Sequence, residues 1–228
     1  MIKQFIDYLI RKYFLHKNEE LPAFLLQKLF HQDEYLPFTG SSLKIRLMAC
    51  MANDIVINSK KSILEFGSGI STIIFARLIK LNNLNATIVS IDESQEWISV
   101  LKNILKKEGL EHIVTFIYCP TVKSNELLKC FEYDSTILSE QLSKVTFDSV
   151  LIDGPIAWSS YKRMSRVANI KFFINNLSEN FTIFVDDTNR KGEKILVKEL
   201  KKQLNINPTI LDSTFVSFSK GTIFSYAI

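Results

Sequence analysis

Apolar residues in the first 58 positions recur at helical spacing, and from Ser59 onward the rhythm changes. Ile2, Phe5, Ile6, Leu9, Ile10, Tyr13 and Phe14 follow a 3.6-residue period, which predicts an amphipathic first helix. A second helix is expected near Leu21 to His31, followed by the loop DEYLPFTGSS. A third covers SLKIRLMACMANDIVI, with Ser41 or Ser42 as its N-cap. Beyond Ser59, short apolar runs alternate with helical stretches. SILEFG, ATIVSID, IVTFIYC, FDSVLIDG and FTIFVDD read as strands. Helices are expected over Ser71–Leu81, Gln95–Lys107, Ser160–Leu177 and Glu193–Gln203, with a less regular stretch reaching Lys144. The end, PTILDSTFVSFSKGTIFSYAI, reads as two final strands, the last split or hairpinned around Lys220-Gly221. Strands this continuous in apolar residues, alternating with helices, predict an α/β fold. Its sheet is mostly parallel, doubly wound and covered on both faces. Residues 1–58 then form an N-terminal helical extension, and residues 59–228 the α/β domain.

Composition changes this picture little. The 228 residues, 46% of them hydrophobic, suffice for one well-filled core. Net charge is +4, and the lysine-rich stretch from Lys191 to Lys202 supplies much of it. Glu193 and Glu199 interrupt that stretch at helical spacing, so it reads as a solvated helix face rather than a nucleic-acid stripe. Cys50, Cys119 and Cys130 lack close pairing and read as reduced, mostly buried thiols. No apolar run has the length that spans a bilayer. Lys3, Asp7, Arg11 and Lys12 interrupt the first segment, which is therefore not a secretory signal. A cytoplasmic protein is expected, its first helix packed on the body or pairing two copies as a homodimer.

In a doubly wound sheet ligands sit beyond the carboxyl ends of the strands. Those ends read Glu65-Phe66-Gly67, Asp92-Glu93, Cys119-Pro120, Asp153-Gly154 and Asp186-Asp187. Gly67 and Gly69 let the backbone turn sharply and approach a ligand, while Ser71 and Thr72 can cap the following helix. A dinucleotide would want a third glycine where Thr72 stands, and Glu65 would repel a pyrophosphate. The same carboxylate can accept from an ammonium or orient the loop. The turn therefore favours a cationic nucleoside. Asp92, about 25 residues beyond Gly67, stands near the spacing at which an acid reaches ribose hydroxyls. It also reads as an ordinary helix N-cap.

LEFGSGIST, VSIDESQEWI, FDSVLIDGP and FVDDTNR, in this order, resemble the class I S-adenosylmethionine-dependent methyltransferases, from about Ser59 to the C-terminus. The resemblance implies a Rossmann-like seven-stranded sheet whose last strand is antiparallel. It implies a cofactor-binding set of Glu65, Gly67, Ser68, Gly69, Ser71, Thr72, Asp92, Glu93 and Asp153. Within it, the methionine moiety lies over Gly67 to Gly69, the ribose on Asp92, and the adenine near Glu93 and the loop after the third strand. That loop, YCPTVKS, lacks the acid many members place on the adenine amine, which leaves the adenine contact unassigned.

Asp153, Asp186 and Asp187 end two strands expected side by side, and three converging carboxylates call for a cation. The sulfonium is one candidate and Mg2+ another. The pattern is similar to the metal-dependent catechol-type O-methyltransferases, which would make these three acids metal ligands. An Asp stands here where that group has Asn, and its catalytic lysine is unmatched, with Tyr161 and Lys162 further along. Methyl transfer needs in-line positioning and removal of a proton from the acceptor oxygen. Asp153 is the first choice for that role and Asp186 the second. Trp158, Tyr161 and Arg163 are candidates for the acceptor site, while His16, His31 and His112 show no ligand spacing. The expected activity is O-methylation of a small hydroxylated acceptor such as a sugar or sugar nucleotide. The alternatives are a nicotinamide-dependent oxidoreductase and a non-catalytic nucleoside-binding scaffold.

Overall fold

The computed structural model describes residues 20–30, 35, 36 and 38–228. The expected first helix, with His16, and the histidine at the end of the second, His31, lie outside them. Helix α1 covers Glu20–Phe30 and α2 covers Ile45–Ile57. The α2 N-cap position is Lys44, with no side-chain cap, not Ser41 or Ser42 as expected. The Ser42 hydroxyl is committed to the turn before it, where it accepts from the Thr39 amide at 2.9 Å.

The alternating part follows as β1 (Ser62–Phe66), α3 (Ile70–Leu81), β2 (Thr87–Asp92), α4 (Gln95–Lys107) and β3 (Val114–Tyr118). A small antiparallel pair, β4 (Thr121–Lys123) and β5 (Phe131–Tyr133), and α5 (Ser135–Leu142) fill the stretch that the sequence left irregular. Next come β6 (Phe147–Ile152), the one-turn α6 (Ile170–Phe173), β7 (Leu177–Val185), α7 (Lys191–Leu204), β8 (Thr209–Ile210) and β9 (Val216–Lys220).

Seven strands form one sheet in the order β3-β2-β1-β6-β7-β9-β8. The first five are parallel, and β9 runs antiparallel between β7 and β8. This is the Rossmann-like sheet with its last strand reversed. Parity along each strand divides the core. Ile63, Leu151 and Phe184 join the side chains of α1 to α4 on one face. Leu64, Phe66, Val150, Ile152, Ile183 and Val185 meet α5 to α7 on the other. Leu26 and Leu29 of α1 and Leu47, Met51 and Ile55 of α2 belong to the first of these clusters. Arg77 ties α1 in place through the Leu29 carbonyl at 2.6 Å while its fork holds Glu108.

Two expectations about local structure change. The helix expected over Ser160–Leu177 is broken into a 3-10 turn (Ser165–Asn169), α6 and a second 3-10 turn (Ile174–Asn176). Arg166 and Asn169 bond across to the turn after β6, and the backbone bends to bring them there. After Gly221 the chain doubles back, but without a further strand. Tyr226 anchors it instead, its hydroxyl within 2.7 Å of Ser217 and Ser219 and its ring against Phe184. All three cysteines are buried and unbridged, as expected.

Candidate functional site

Strand order reverses between β1 and β6, so the turns at their carboxyl ends diverge and leave a crevice. The two turns touch at its base. Gly67, at φ +94°, lies so close to Gly154 that a Cβ on it would sit 2.7 Å from the Gly154 nitrogen. The amides of Asp153 and Gly154 both donate to the Phe66 carbonyl, and the Asn169 side chain donates to the Gly154 carbonyl at 2.7 Å. Gly154 is thus demanded by close packing and held fast. A cavity of 520 Å³ opens above this junction. It lies at the ends of β1, β2, β6 and β7 and is bordered by Thr39–Lys44 from the loop before α2.

Of the expected site residues, Gly67, Ser68, Gly69, Ser71, Asp92, Glu93, Asp153, Asp186 and Asp187 line this cavity. Glu65 and Thr72 stand behind it. Glu65 has the parity of Ile63, so its carboxylate points between the sheet and α3. There it accepts from the hydroxyls of Ser71 at 2.5 Å, Ser90 at 2.6 Å and Thr72. Burial pushes its carboxyl up to about 7, with the three hydroxyls opposing. Glu65 therefore orients the loop from behind the cavity. Of the two expected caps of α3, Thr72 takes part from position N3 and Ser71 does not. Both are turned to Glu65, and Thr72 also accepts from the Gly69 amide at 3.0 Å.

Asp92 lies on the cavity wall and grips both neighbouring loops. Its Oδ2 accepts from the Ser68 amide at 2.9 Å, and its Oδ1 from the Ser94 amide at 2.8 Å. The N-cap of α4 is Ser94, which accepts from Trp97 at 3.1 Å. The N-cap reading of Asp92 is thereby removed. Burial raises its carboxyl, and the amides work against that rise. Trp97 donates its indole N–H to the Ser68 carbonyl at 2.9 Å, tightening the same loop. Glu93 accepts from the Ile156 amide at 3.3 Å, bridging to the turn after β6.

Opposite them the three aspartates converge, each offering an oxygen within 4.8 Å of the others. Alone, that set would suit a hard divalent ion. Arg166 enters it from the 3-10 turn, with Nη2 at 3.2 Å from Asp153 and Nη1 at 3.0 Å from Asp187. Its Nε donates to the Pro155 carbonyl and lies 3.7 Å from Glu193. Arg190 adds a second guanidinium, 2.7 Å from Asp187. Asp187 takes a left-handed backbone, φ +58°, a conformation to which Asp is more tolerant than most. Asp186 is buried, its Oδ1 accepting from the Asp187 amide at 2.7 Å. Burial first, then the charges of Asp153 and Asp187, push its carboxyl up to about 7. Guanidinium groups thus take Asp153 Oδ1 and Asp187 Oδ2, and their positive charge counts against a divalent ion among these residues.

Sequence reasoning missed Arg166, Arg190, Trp97 and Tyr133. Arg190 had a signal, three residues after an acid in DDTNR. Tyr133 is fully buried on β5, borders the cavity, and its hydroxyl has no partner among the described residues. Glu193 was taken for part of a solvated face, yet it is buried against Arg166. Trp158 stands exposed at the rim. Tyr161 packs on Phe131, Arg163 bonds the Ser160 carbonyl, and neither lines the cavity.

A family model described as a methyltransferase domain matches residues 64–188, more than half of the chain. No curated protein matches the sequence significantly. Among solved structures, a candidate caffeoyl-CoA O-methyltransferase from Staphylococcus aureus superimposes with a TM-score of 0.58 at 16% identity. That match covers 96% of this chain and 99% of the other. An O-methyltransferase from Bacillus cereus, solved with S-adenosylhomocysteine, gives 0.56 at 16% identity and covers 96% and 100%. The O-methyltransferase TomG from Streptomyces achromogenes, solved with S-adenosylmethionine, gives 0.54 at 14% and covers 90% and 92%. At these identities the structures speak for the fold, and the family model carries the assignment. The chain belongs to the methyltransferase-domain family, as a class I S-adenosylmethionine-dependent methyltransferase.

Proposed function

We propose that this methyltransferase moves the methyl group of S-adenosylmethionine onto an oxygen of a small hydroxylated acceptor, such as a sugar or sugar nucleotide. The observation that carries the reading is Asp92. Its carboxylate is anchored by two backbone amides on one wall of a cavity whose other wall holds the aspartate cluster. Each oxygen keeps acceptor capacity beyond its amide, which suits a ribose diol. A Cβ on Gly69 would meet only the Ser71 hydroxyl, at 3.8 Å, so no protein group requires glycine there. Bare backbone at that point suits close approach by a ligand. The residues fit the cofactor in this way: Gly67, Ser68, Gly69 and Ser71 along its methionine portion, Asp92 on its ribose, and Glu93 towards its adenine.

When bound, the cofactor supplies a methyl group already activated by positive sulfur. The chain must then orient the acceptor and receive its proton. Asp186 is the carboxylate for the proton, because no arginine grips it among the described residues. Asp153, ion-paired to Arg166, holds the acceptor in place. This reverses the order expected from sequence. The exposed indole of Trp158 offers the acceptor a flat surface at the rim. The proposal includes a cytoplasmic homodimer formed through the N-terminal helices, to which α1 contributes exposed Leu21, Phe24 and Leu25. No helix among the described residues is long and apolar enough to cross a membrane.

Calorimetry tests the cofactor. S-adenosylhomocysteine should bind in the micromolar range and NADH should not. Asp92→Ala should weaken S-adenosylhomocysteine binding at least about 100-fold, equal to about 2.8 kcal/mol. Binding of NADH without S-adenosylhomocysteine defeats the reading. A turnover assay against hydroxylated sugars and sugar nucleotides tests the acceptor, and methyl uptake by none of them removes that class.

A further inference from the structure

Three carboxylates gathered at one end of a sheet repel each other unless a cation lies among them. The fold supplies one from its own chain. Arg166 is buried, and its planar fork reaches Asp153 on one side and Asp187 on the other. Two features hold it there. The 3-10 turn carrying it is fastened to the turn after β6 by Asn169. The start of α7 is pressed against the same segment at Gly192, where a Cβ would fall 1.7 Å from the Arg163 carbonyl. That close approach brings buried Glu193 to the Nε side of the guanidinium. Nε also donates to the Pro155 carbonyl, so the guanidinium is engaged on three sides by the protein.

We propose that Arg166 is the resident cation of this cluster, occupying the electrostatic role of a divalent metal, so that the enzyme works without a metal ion. It acts as a positioning residue, holding Asp153 and Asp187 in place while leaving Asp186 to the acceptor. One consequence concerns the substrate. A hard ion with open positions chelates two adjacent oxygens of an acceptor, whereas a guanidinium paired to protein carboxylates has no open coordination positions for such chelation. The acceptor therefore needs only a single hydroxyl at the reacting position. The use of the cluster rests on the methyltransferase reading; its charge balance does not.

Mn2+ titration of the full chain, followed by electron paramagnetic resonance with and without S-adenosylhomocysteine, tests this. The unmodified protein should take up no Mn2+ up to about 1 mM, and Arg166→Met should take it up at least about tenfold more tightly. Arg166→Lys, which keeps the charge, should resemble the unmodified protein. Uptake by the unmodified protein at or below about 1 mM overturns the proposal. So does a folded Arg166→Met variant that takes up none. Should that variant fail to fold, the titration of the unmodified protein decides alone. Calorimetry with S-adenosylhomocysteine on the same sample reports separately on the cofactor reading.

Discussion

The two halves of the cavity hold their acids in different ways. At the ends of β1 and β2, Glu65 and Asp92 are satisfied by neutral donors: three hydroxyls for one, two backbone amides for the other. At the ends of β6 and β7, Asp153 and Asp187 are held by guanidinium groups. Neutral donors fix a carboxylate without cancelling its charge, so Asp92 leaves the first half a negative field suited to a cationic sulfur. Guanidiniums cancel charge as they fix it, so three acids can share the second half.

Variants on either side should separate these two modes. The largest effect is expected at Arg166. Arg166→Met leaves Asp153 and buried Glu193 without their guanidinium, and removal of one partner from a buried ionic set costs about 3–5 kcal/mol. Urea unfolding near neutral pH measures it, and a loss below about 1 kcal/mol would place the cluster in surface-like solvent.

Glu65 tests the neutral half through pH. Its carboxyl stays protonated in the folded chain up to about 7, against an ordinary value of 4.5. The folded state therefore binds more protons across that window. The stability this contributes is complete below the ordinary value and is lost as pH rises through about 7. Glu65→Gln, which cannot ionise, should flatten the decline between these limits by on the order of 1–3 kcal/mol. Unfolding midpoints at a series of pH values give the slope, and an unchanged slope would show Glu65 ionised throughout.

The smallest effect belongs to Tyr133, which touches both halves. Its buried hydroxyl lacks a partner among the described residues, so Tyr133→Phe should be neutral or stabilising by up to about 1 kcal/mol. Thermal unfolding reports it. A clear loss of stability would reveal a hydrogen bond at that hydroxyl.

The acids and glycines at the strand ends were legible because each sits within two residues of a strong apolar run. Arg166 was not. It lies 13 residues after Asp153, in a stretch whose polar and apolar spacing resembled a surface helix. Glu193 was hidden by the same ambiguity, since lysines surround it on a helix whose other side is solvated. Glu65 was found, but its direction was not. That followed from strand parity counted against the core, which placed it with Ile63 beneath α3.

Sequence alone settled the run of the five parallel strands, the reversal of the final strand through resemblance, and the acids available at the sheet's carboxyl edge. It could do so because apolar periodicity and turn chemistry are local, written within a few residues of one another. Tertiary structure decided which charges meet. The pairing of Arg166 with Asp153, Asp187 and Glu193 joins the ends of two strands, a 3-10 turn and a helix start, and no local pattern encodes that distance.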